Sequence, residues 1–400
     1  MAEKALAGVN VLEYASFVTA PYSTKLLADL GAEVIKIEPP QVGDEARRRG
    51  PFPNDIPDSE RSGLFLYLNT NKLGITLDPK TPTGKKIFLG LVGLVDILIA
   101  DKPPKVMEEL GLTYETLKGI NPRLVMTSIT PFGQTGPYRD YKGHHLNLTH
   151  ASGAGYLMPG SSSLEREPLK GGGHFDEYAC GLSAAIATLG TLYWQRATGS
   201  GQHIDASKQD MIMDMDKVMI TAYPNSGILP GRMPHKFTVG GTPLPCKDGS
   251  IVATALLSSH WEAIFDVMGD PEWAEKFRDE AYREEHVEEL EAHLREWTKN
   301  QNAEQVYHKL EQAGCPAGVV RSAEQVVNWE QPNSRGFFAE VDHPKAGRLK
   351  HPTAPYRLSR TPVVIDRPAP LLGQHNEEVY CGRLGYTKQD LVRMREAGII

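Results

Sequence analysis

Two adjacent carboxylates follow a run of glycines in Gly171-Gly172-Gly173-His174-Phe175-Asp176-Glu177, and Gly181 comes soon after. A carboxylate held in such a turn can attack an activated acyl carbon or take up a proton. Consecutive glycines remove side-chain bulk, so the backbone can adopt positive φ or approach a ligand closely. Beyond the acids, Leu182, Ala185, Ile186, Leu189, Leu192 and Tyr193 recur at helical spacing. Asp176 and Glu177 therefore sit where a loop feeds a helix N-terminus, a place whose unpaired N–H groups and dipole favour an anion. A purely structural account is also open, because Asp is a favoured N-cap residue. Gly143-His144-His145 adds two histidines in a glycine-rich approach. Either can supply a base, although most histidines have no catalytic task.

The elements that must position these groups read as an α/β chain. Apolar runs near residues 9–12, 31–38, 74–78, 96–100 and 124–129 alternate with helical segments, among them 25–30 and 82–92. Strands and helices in that alternation build a parallel, doubly wound sheet. The loop between Leu12 and Pro21 follows a strand and precedes a helix, which is where open α/β sheets bind ligands. It lacks Gly-x-Gly-x-x-Gly, so no dinucleotide site is assigned. A short strand over 203–207 and a Met-rich helix over 209–219 follow the central helix. Residues 223–245 turn rich in Pro and Gly with little periodicity and mark a linker. A smaller α/β unit then runs through Val320, followed by irregular, Pro-rich sequence to Pro370 and a last helix over 388–397.

With 400 residues the chain exceeds the size at which one core stops growing, so two domains or one elaborated domain are expected. No stretch approaches a membrane span. A net charge of −7 argues against a general nucleic-acid binder, and Arg47-Arg48-Arg49 reads as a short solvated run. The N-terminal sequence lacks a secretory h-region, making the cytosol the default location. Four scattered cysteines indicate neither a zinc site nor a disulfide framework.

The order of motifs resembles the class III CoA-transferases, the CaiB/BaiF family that includes formyl-CoA transferase, carnitine CoA-transferase and α-methylacyl-CoA racemase. The resemblance runs nearly end to end. It is carried by residues 6–13, by Leu30-Gly31-Ala32-Glu33-Val34-Ile35-Lys36-Ile37-Glu38-Pro39-Pro40, and by Asn69 with Asn71-Lys72. Phe132-Gly133-Gln134-Thr135-Gly136-Pro137-Tyr138, Thr198-Gly199-Ser200-Gly201-Gln202 and Pro368-Ala369-Pro370-Leu371-Leu372-Gly373-Gln374-His375 continue it. The resemblance implies a Rossmann-like large domain from both ends of the chain (1–222 and 331–400), with linker and small α/β domain at 223–330. It further implies an interlocked dimer, either a homodimer or a heterodimer with a paralogous subunit. Coenzyme A or acyl-CoA enters as substrate beside a carboxylic acid, with no permanently bound cofactor, metal, nucleic acid or membrane. Phe17, Val18, Thr19, Ala20, Asn71, Lys72 and Tyr138 are similar to CoA-lining residues.

In family transferases a carboxylate attacks the acyl-CoA, forming a mixed anhydride and then an enzyme–CoA thioester. Counted back from Gly181, that position holds Glu177, with Asp176 one place early. Glu has the same functional group on a longer stem, so it serves if the loop shifts, although misplacement by ~1 Å can cost ~100-fold. The family's adenine loop is replaced by Asp101-Lys102-Pro103-Pro104-Lys105, where Lys102 and Lys105 stand in for lost cations. Three activities fit the resemblance. The first is CoA transfer from a donor such as succinyl-CoA. The second is acyl-CoA racemisation or isomerisation using His144 and the central carboxylate, with His145 standing where the racemase has an Asp. The third is a structural subunit of a heteromeric enzyme, resembling benzylsuccinate CoA-transferase.

Overall fold

A computed structural model describes residues 4–160, 165–215, 217–229, 231–232 and 242–400. The strands β1 (Asn10–Tyr14), β2 (Glu33–Glu38), β3 (Lys72–Thr76), β4 (Ile97–Ala100), β5 (Val125–Thr130) and β6 (His203–Ser207) form one sheet. Its order is β3-β2-β1-β4-β5-β6, and every pairing is parallel. This is the order of a doubly wound dinucleotide-binding sheet, with its topological switch between β1 and β4. Both faces are covered, which is why β4 and β5 are buried at every position and read as continuous apolar runs.

The interleaved helices are α1 (Thr19–Asp29), α2 (Gly63–Leu68), α3 (Pro82–Val92), α4 (Pro104–Leu110), α5 (Tyr114–Lys118), α6 (His145–Ala151), α7 (Phe175–Thr198), α8 (Lys208–Met215) and α9 (Lys217–Ser226). Alternate strand residues face opposite cores. Val11, Val34, Ile97, Ile99 and Val125 meet Leu27 of α1 and Ala184 and Leu192 of α7. Leu12, Ile35, Leu98 and Met126 face Phe88 of α3 and, from the chain's end, Val379 and Tyr380. The Tyr380 hydroxyl donates to the Thr76 carbonyl at 2.6 Å, fastening the C-terminal segment to the sheet.

The chain divides into two compact units, one of residues 1–156, 169–230 and 336–400, the other of 157–168 and 231–335. The second has its own antiparallel sheet, β7 (Leu244–Cys246), β8 (Gly249–Ala253) and β9 (Ala317–Val319), in the order β7-β8-β9. Trp261, Phe265, Phe277, Leu290 and Leu310 fill its core.

Several local expectations change. The first helix begins at Thr19 rather than near residue 25, because Pro21 falls in its first turn, where a missing N–H costs nothing. Helix α9 runs to Ser226 through Pro224, so helix persists past the point where Pro and Gly suggested a linker. The stretch read as irregular contains an antiparallel hairpin, β10 (Phe338–His343) with β11 (Gly347–Pro352), and beyond Pro370 a further helix covers Asn376–Leu384 ahead of the last one. Arg47 is not solvated. It is buried, bonded through Nε and Nη2 to Glu38 and through Nη1 to Glu60. Its guanidinium also lies 3.6 Å from the centre of the Phe65 ring.

Candidate active site

The two acids lie in the first turn of α7, whose N-cap is His174. Asp176 therefore caps nothing. Of the three glycines before them only Gly173 takes positive φ, at 63°. A side chain on Gly171 or Gly172 would meet nothing within 4 Å, so these residues leave a bare backbone face.

Successive helical residues point about 100° apart, so the two carboxylates meet different neighbours. Glu177 is 5% exposed and faces α1. Its Oε2 accepts from the Thr19 hydroxyl and from Lys208 Nζ, the latter at 2.7 Å. Among the described residues Oε1 takes no hydrogen bond. Burial opposes the charge on Glu177. The Lys208 ammonium, with the hydrogen bonds from Lys208 and Thr19, outweighs it and holds the carboxyl below its usual range. Asp176 faces α6 instead, accepting from the Thr149 hydroxyl and standing 3.2 Å from His145 Nε2. The His145 hydrogen bond is the chief cause of its lowered pKa, with burial acting against it. Both acids are thus ionised at neutral pH.

His174 completes the ring of groups. Its imidazole packs edge-on to Phe17 at 5.1 Å and lies 6.0 Å from His145. Burial, then the neighbouring His145, pushes its pKa down. Its Nδ1 is buried with no hydrogen-bond partner among the described residues.

The turn between β1 and α1 links this carboxylate site to the carboxyl ends of the strands. Phe17 adopts φ 68°, a left-handed conformation costing a side-chain-bearing residue ~1–2 kcal/mol. Two acids hold the turn in that shape: Asp44 accepts from the Phe17 N–H at 2.9 Å and Asp101 from the Ser16 N–H at 2.8 Å. Asp44 is itself paired at 2.6 Å with buried Lys36. On the outer side of the same turn, Tyr14, Ala15 and Ser16 line a cleft of about 580 Å³ at the carboxyl ends of the strands. Arg48, Lys80 and Lys102 also line it. Lys102 pairs with Asp101 at 2.8 Å and sits 5.0 Å over the Tyr14 ring.

The residues singled out from sequence therefore separate. Glu177, Asp176, Thr19 and Phe17 come together at the start of α7, and Lys102 joins the cleft. Val18 and Ala20 are buried, and their side chains belong to core clusters. Lys72 is wholly buried, its ammonium spent on Glu13, Asn69 and the Pro21 carbonyl. Asn71 precedes β3 and ties down the C-terminal segment through Val364, Asp366 and Arg367. Lys105 is exposed, and Tyr138 stacks on Tyr141 at 4.9 Å. His144 is exposed at the start of α6 and bonds neither acid; the histidine that reaches Asp176 is its neighbour His145. Lys208 and Thr149 escaped sequence reading. The signal for Lys208 was its place immediately after β6, at the carboxyl end of a strand, where such folds gather their sites.

The profile of CoA-transferase family III matches residues 6–376. The chain belongs to CoA-transferase family III. This CoA-transferase is 32% identical, over 98% of its length and 97% of the relative's, to a Chloroflexus aurantiacus protein named succinyl-CoA–D-citramalate CoA-transferase. It is 29% identical, over 99% of its length and 97% of the relative's, to a Rhodopseudomonas palustris formyl-CoA:oxalate CoA-transferase. Among solved structures, a CaiB/BaiF family protein from Brucella suis superposes on the CoA-transferase with a TM-score of 0.83 at 28% identity. That match covers 95% of this chain and 99% of the other.

Proposed function

We propose that this enzyme moves CoA from a donor acyl-CoA, such as succinyl-CoA, to an organic acid, with Glu177 as the covalent nucleophile. The observation that carries the reading is the asymmetric anchoring of that carboxylate. Oε2 is fixed by Thr19 and Lys208, while Oε1 takes no hydrogen bond from the described residues and the ionised carboxylate keeps it in position to attack. Attack gives a mixed anhydride and frees the CoA thiolate, which converts Glu177 to a thioester that the acceptor carboxylate then resolves. The bare backbone of Gly171 and Gly172 suits close approach of an acyl group. The cleft lined by Arg48, Lys80 and Lys102 suits the phosphates of CoA, which would run along the β1–α1 turn toward Thr19. The four free cysteines suit a reducing compartment such as the cytosol.

Helix α7 leaves Leu182, Ile186 and Tyr193 exposed, an apolar stripe that supports assembly as a homodimer or with a paralogous chain. Light scattering of the purified chain, alone and co-expressed with the paralogue, distinguishes these from a monomer.

Incubation with acyl-CoA followed by hydroxylamine or borohydride trapping tests the nucleophile. Glu177→Gln is expected to abolish the adduct and turnover, whereas Asp176→Asn leaves the adduct on Glu177 and lowers turnover by about tenfold, as for weakening one charge-assisted hydrogen bond of about 1.5 kcal/mol. Full turnover by both variants would exclude the mechanism. The contact between His145 and Asp176 supports a second reading, removal of an acyl-CoA α-proton by His145 rather than His144. Deuterium uptake at the α-carbon in heavy water without CoA transfer would favour it.

A further inference from the structure

We propose that Thr19 and Lys208 form an oxyanion site for the carboxyl carbon of Glu177, so that the enzyme's own acyl group is activated for each attack upon it. The inference rests on Glu177 being the nucleophile and adds to that reading what happens after the first bond forms. Both donors converge on one oxygen: the Thr19 hydroxyl and the Lys208 ammonium, the latter at 2.7 Å, address Oε2. Thr19 is buried in the first turn of α1 and Lys208 opens α8, so each is held by an element packed against α7.

The two oxygens then have separate tasks. Oε1 bonds to the thioester carbon of the donor, the C–S bond breaks, and the thiolate leaves with its electron pair. The thiolate next attacks Cδ of Glu177. The π pair of the Cδ–Oε2 bond moves onto Oε2, and the negative charge appears on the atom that Thr19 and Lys208 already address. Collapse of that intermediate expels the donor's carboxylate, which carries Oε1 away, and leaves Glu177 as the thioester of CoA. Attack of the acceptor carboxylate on Cδ repeats the same charge on Oε2 before the thiolate departs. Return of the thiolate to the acceptor's carbonyl carbon then releases Glu177 as a carboxylate. Donors placed in advance where charge develops need no reorganisation at the moment of reaction. Lys208 is suited to this twice over, since its positive charge pairs with the resting carboxylate and with the later oxyanion, and is without a counter-ion on Glu177 only while Glu177 is acylated and neutral.

Oε2 stays with the enzyme through the whole cycle, whereas the other oxygen is replaced by one from the acceptor. Turnover with excess ¹⁸O-labelled acceptor acid is therefore expected to place a single heavy oxygen in the Glu177 peptide of the wild-type enzyme, read by mass spectrometry. In the half-reaction with acyl-CoA alone, Lys208→Met is expected to form the CoA adduct at least about 100-fold more slowly, the effect of losing one oxyanion donor. Its dissociation constant for acyl-CoA should not change. Thr19→Val should slow the adduct in the same direction, and Lys208→Arg, which keeps the cation if Lys208→Met fails to fold, should retain most of the rate. Adduct formation at the wild-type rate in both Lys208→Met and Thr19→Val, or rapid double labelling of wild-type Glu177, overturns this inference and leaves the nucleophile in place. Absence of any adduct on wild-type Glu177 removes the nucleophile, and this inference with it.

Discussion

A Cβ at position 181 would stand 2.6 Å from the carbonyl oxygen of Thr19, so only glycine lets α7 approach α1 this closely. That approach brings Glu177, one turn earlier on α7, against the Thr19 side chain. Gly181→Ala is expected to push the helices apart, with a stability loss of about 1–3 kcal/mol from overpacking. Turnover should fall more than stability does, by about 100-fold for a displacement of ~1 Å. Thermal unfolding and kcat measured on the same preparation check this. Unchanged kcat would mean that the helix contact does not set the position of Glu177.

The β1–α1 turn stands on a buried charge cluster. Glu13 is fully buried between Lys36 at 2.6 Å and Lys72 at 2.8 Å. Burial works against its charge, and the two ammonium groups overcome that, pulling its carboxyl down to about 2. Removing one partner leaves uncompensated charge in the interior, which typically costs 3–5 kcal/mol, so Glu13→Gln should destabilise by about that amount. Urea unfolding at neutral pH measures it. A loss under 1 kcal/mol would show that the lysines relax toward Asp44 or water instead.

The cleft at the switch point gives a binding prediction. Arg48→Ala and Lys80→Ala should each raise KM for acyl-CoA by roughly tenfold, as expected for losing a charge-assisted hydrogen bond of about 1.5 kcal/mol, with kcat little changed. Both effects should shrink as salt increases. A fall in kcat at constant KM would place the phosphates elsewhere.

His351, on the C-terminal hairpin, predicts a pH dependence of stability. Burial first, then the charges of Lys25 and His343, pushes its pKa from 6.5 down to about 4. Between those values the folded chain binds fewer protons than the unfolded one, so stability falls as the pH drops through that window. The loss at pH 4 should be on the order of 2 kcal/mol after allowance for screening. Denaturant titrations from pH 7 to 4 on wild type and His351→Gln test it, and the variant should show a shallower slope.

Much of the frame was legible in the sequence because strand and helix periods are local. Unbroken apolar runs such as Ile97–Ala100 belong only in a sheet covered on both faces, and the stripe from Leu182 to Tyr193 placed Asp176 and Glu177 at a helix start. The hairpin from Phe338 to Pro352 was missed because its exposed and half-buried residues give weak alternation. Neighbours distant along the chain were not legible at all. Lys72 looks like a ligand-facing cation and Arg47 like a solvated one until Glu13, Glu38 and Glu60 are folded around them.

The chain's own residues, read in order, thus determined the α/β alternation, the glycine-led helix and the pair of acids at its start. Which acid is held, and by what, was decided only in three dimensions. A single helical step of about 100° sends Asp176 to His145 and Thr149 and Glu177 to Thr19 and Lys208. Those partners come from other elements, so only the packing of α1, α6 and α8 on α7 brings their hydroxyls and charges within hydrogen-bonding reach.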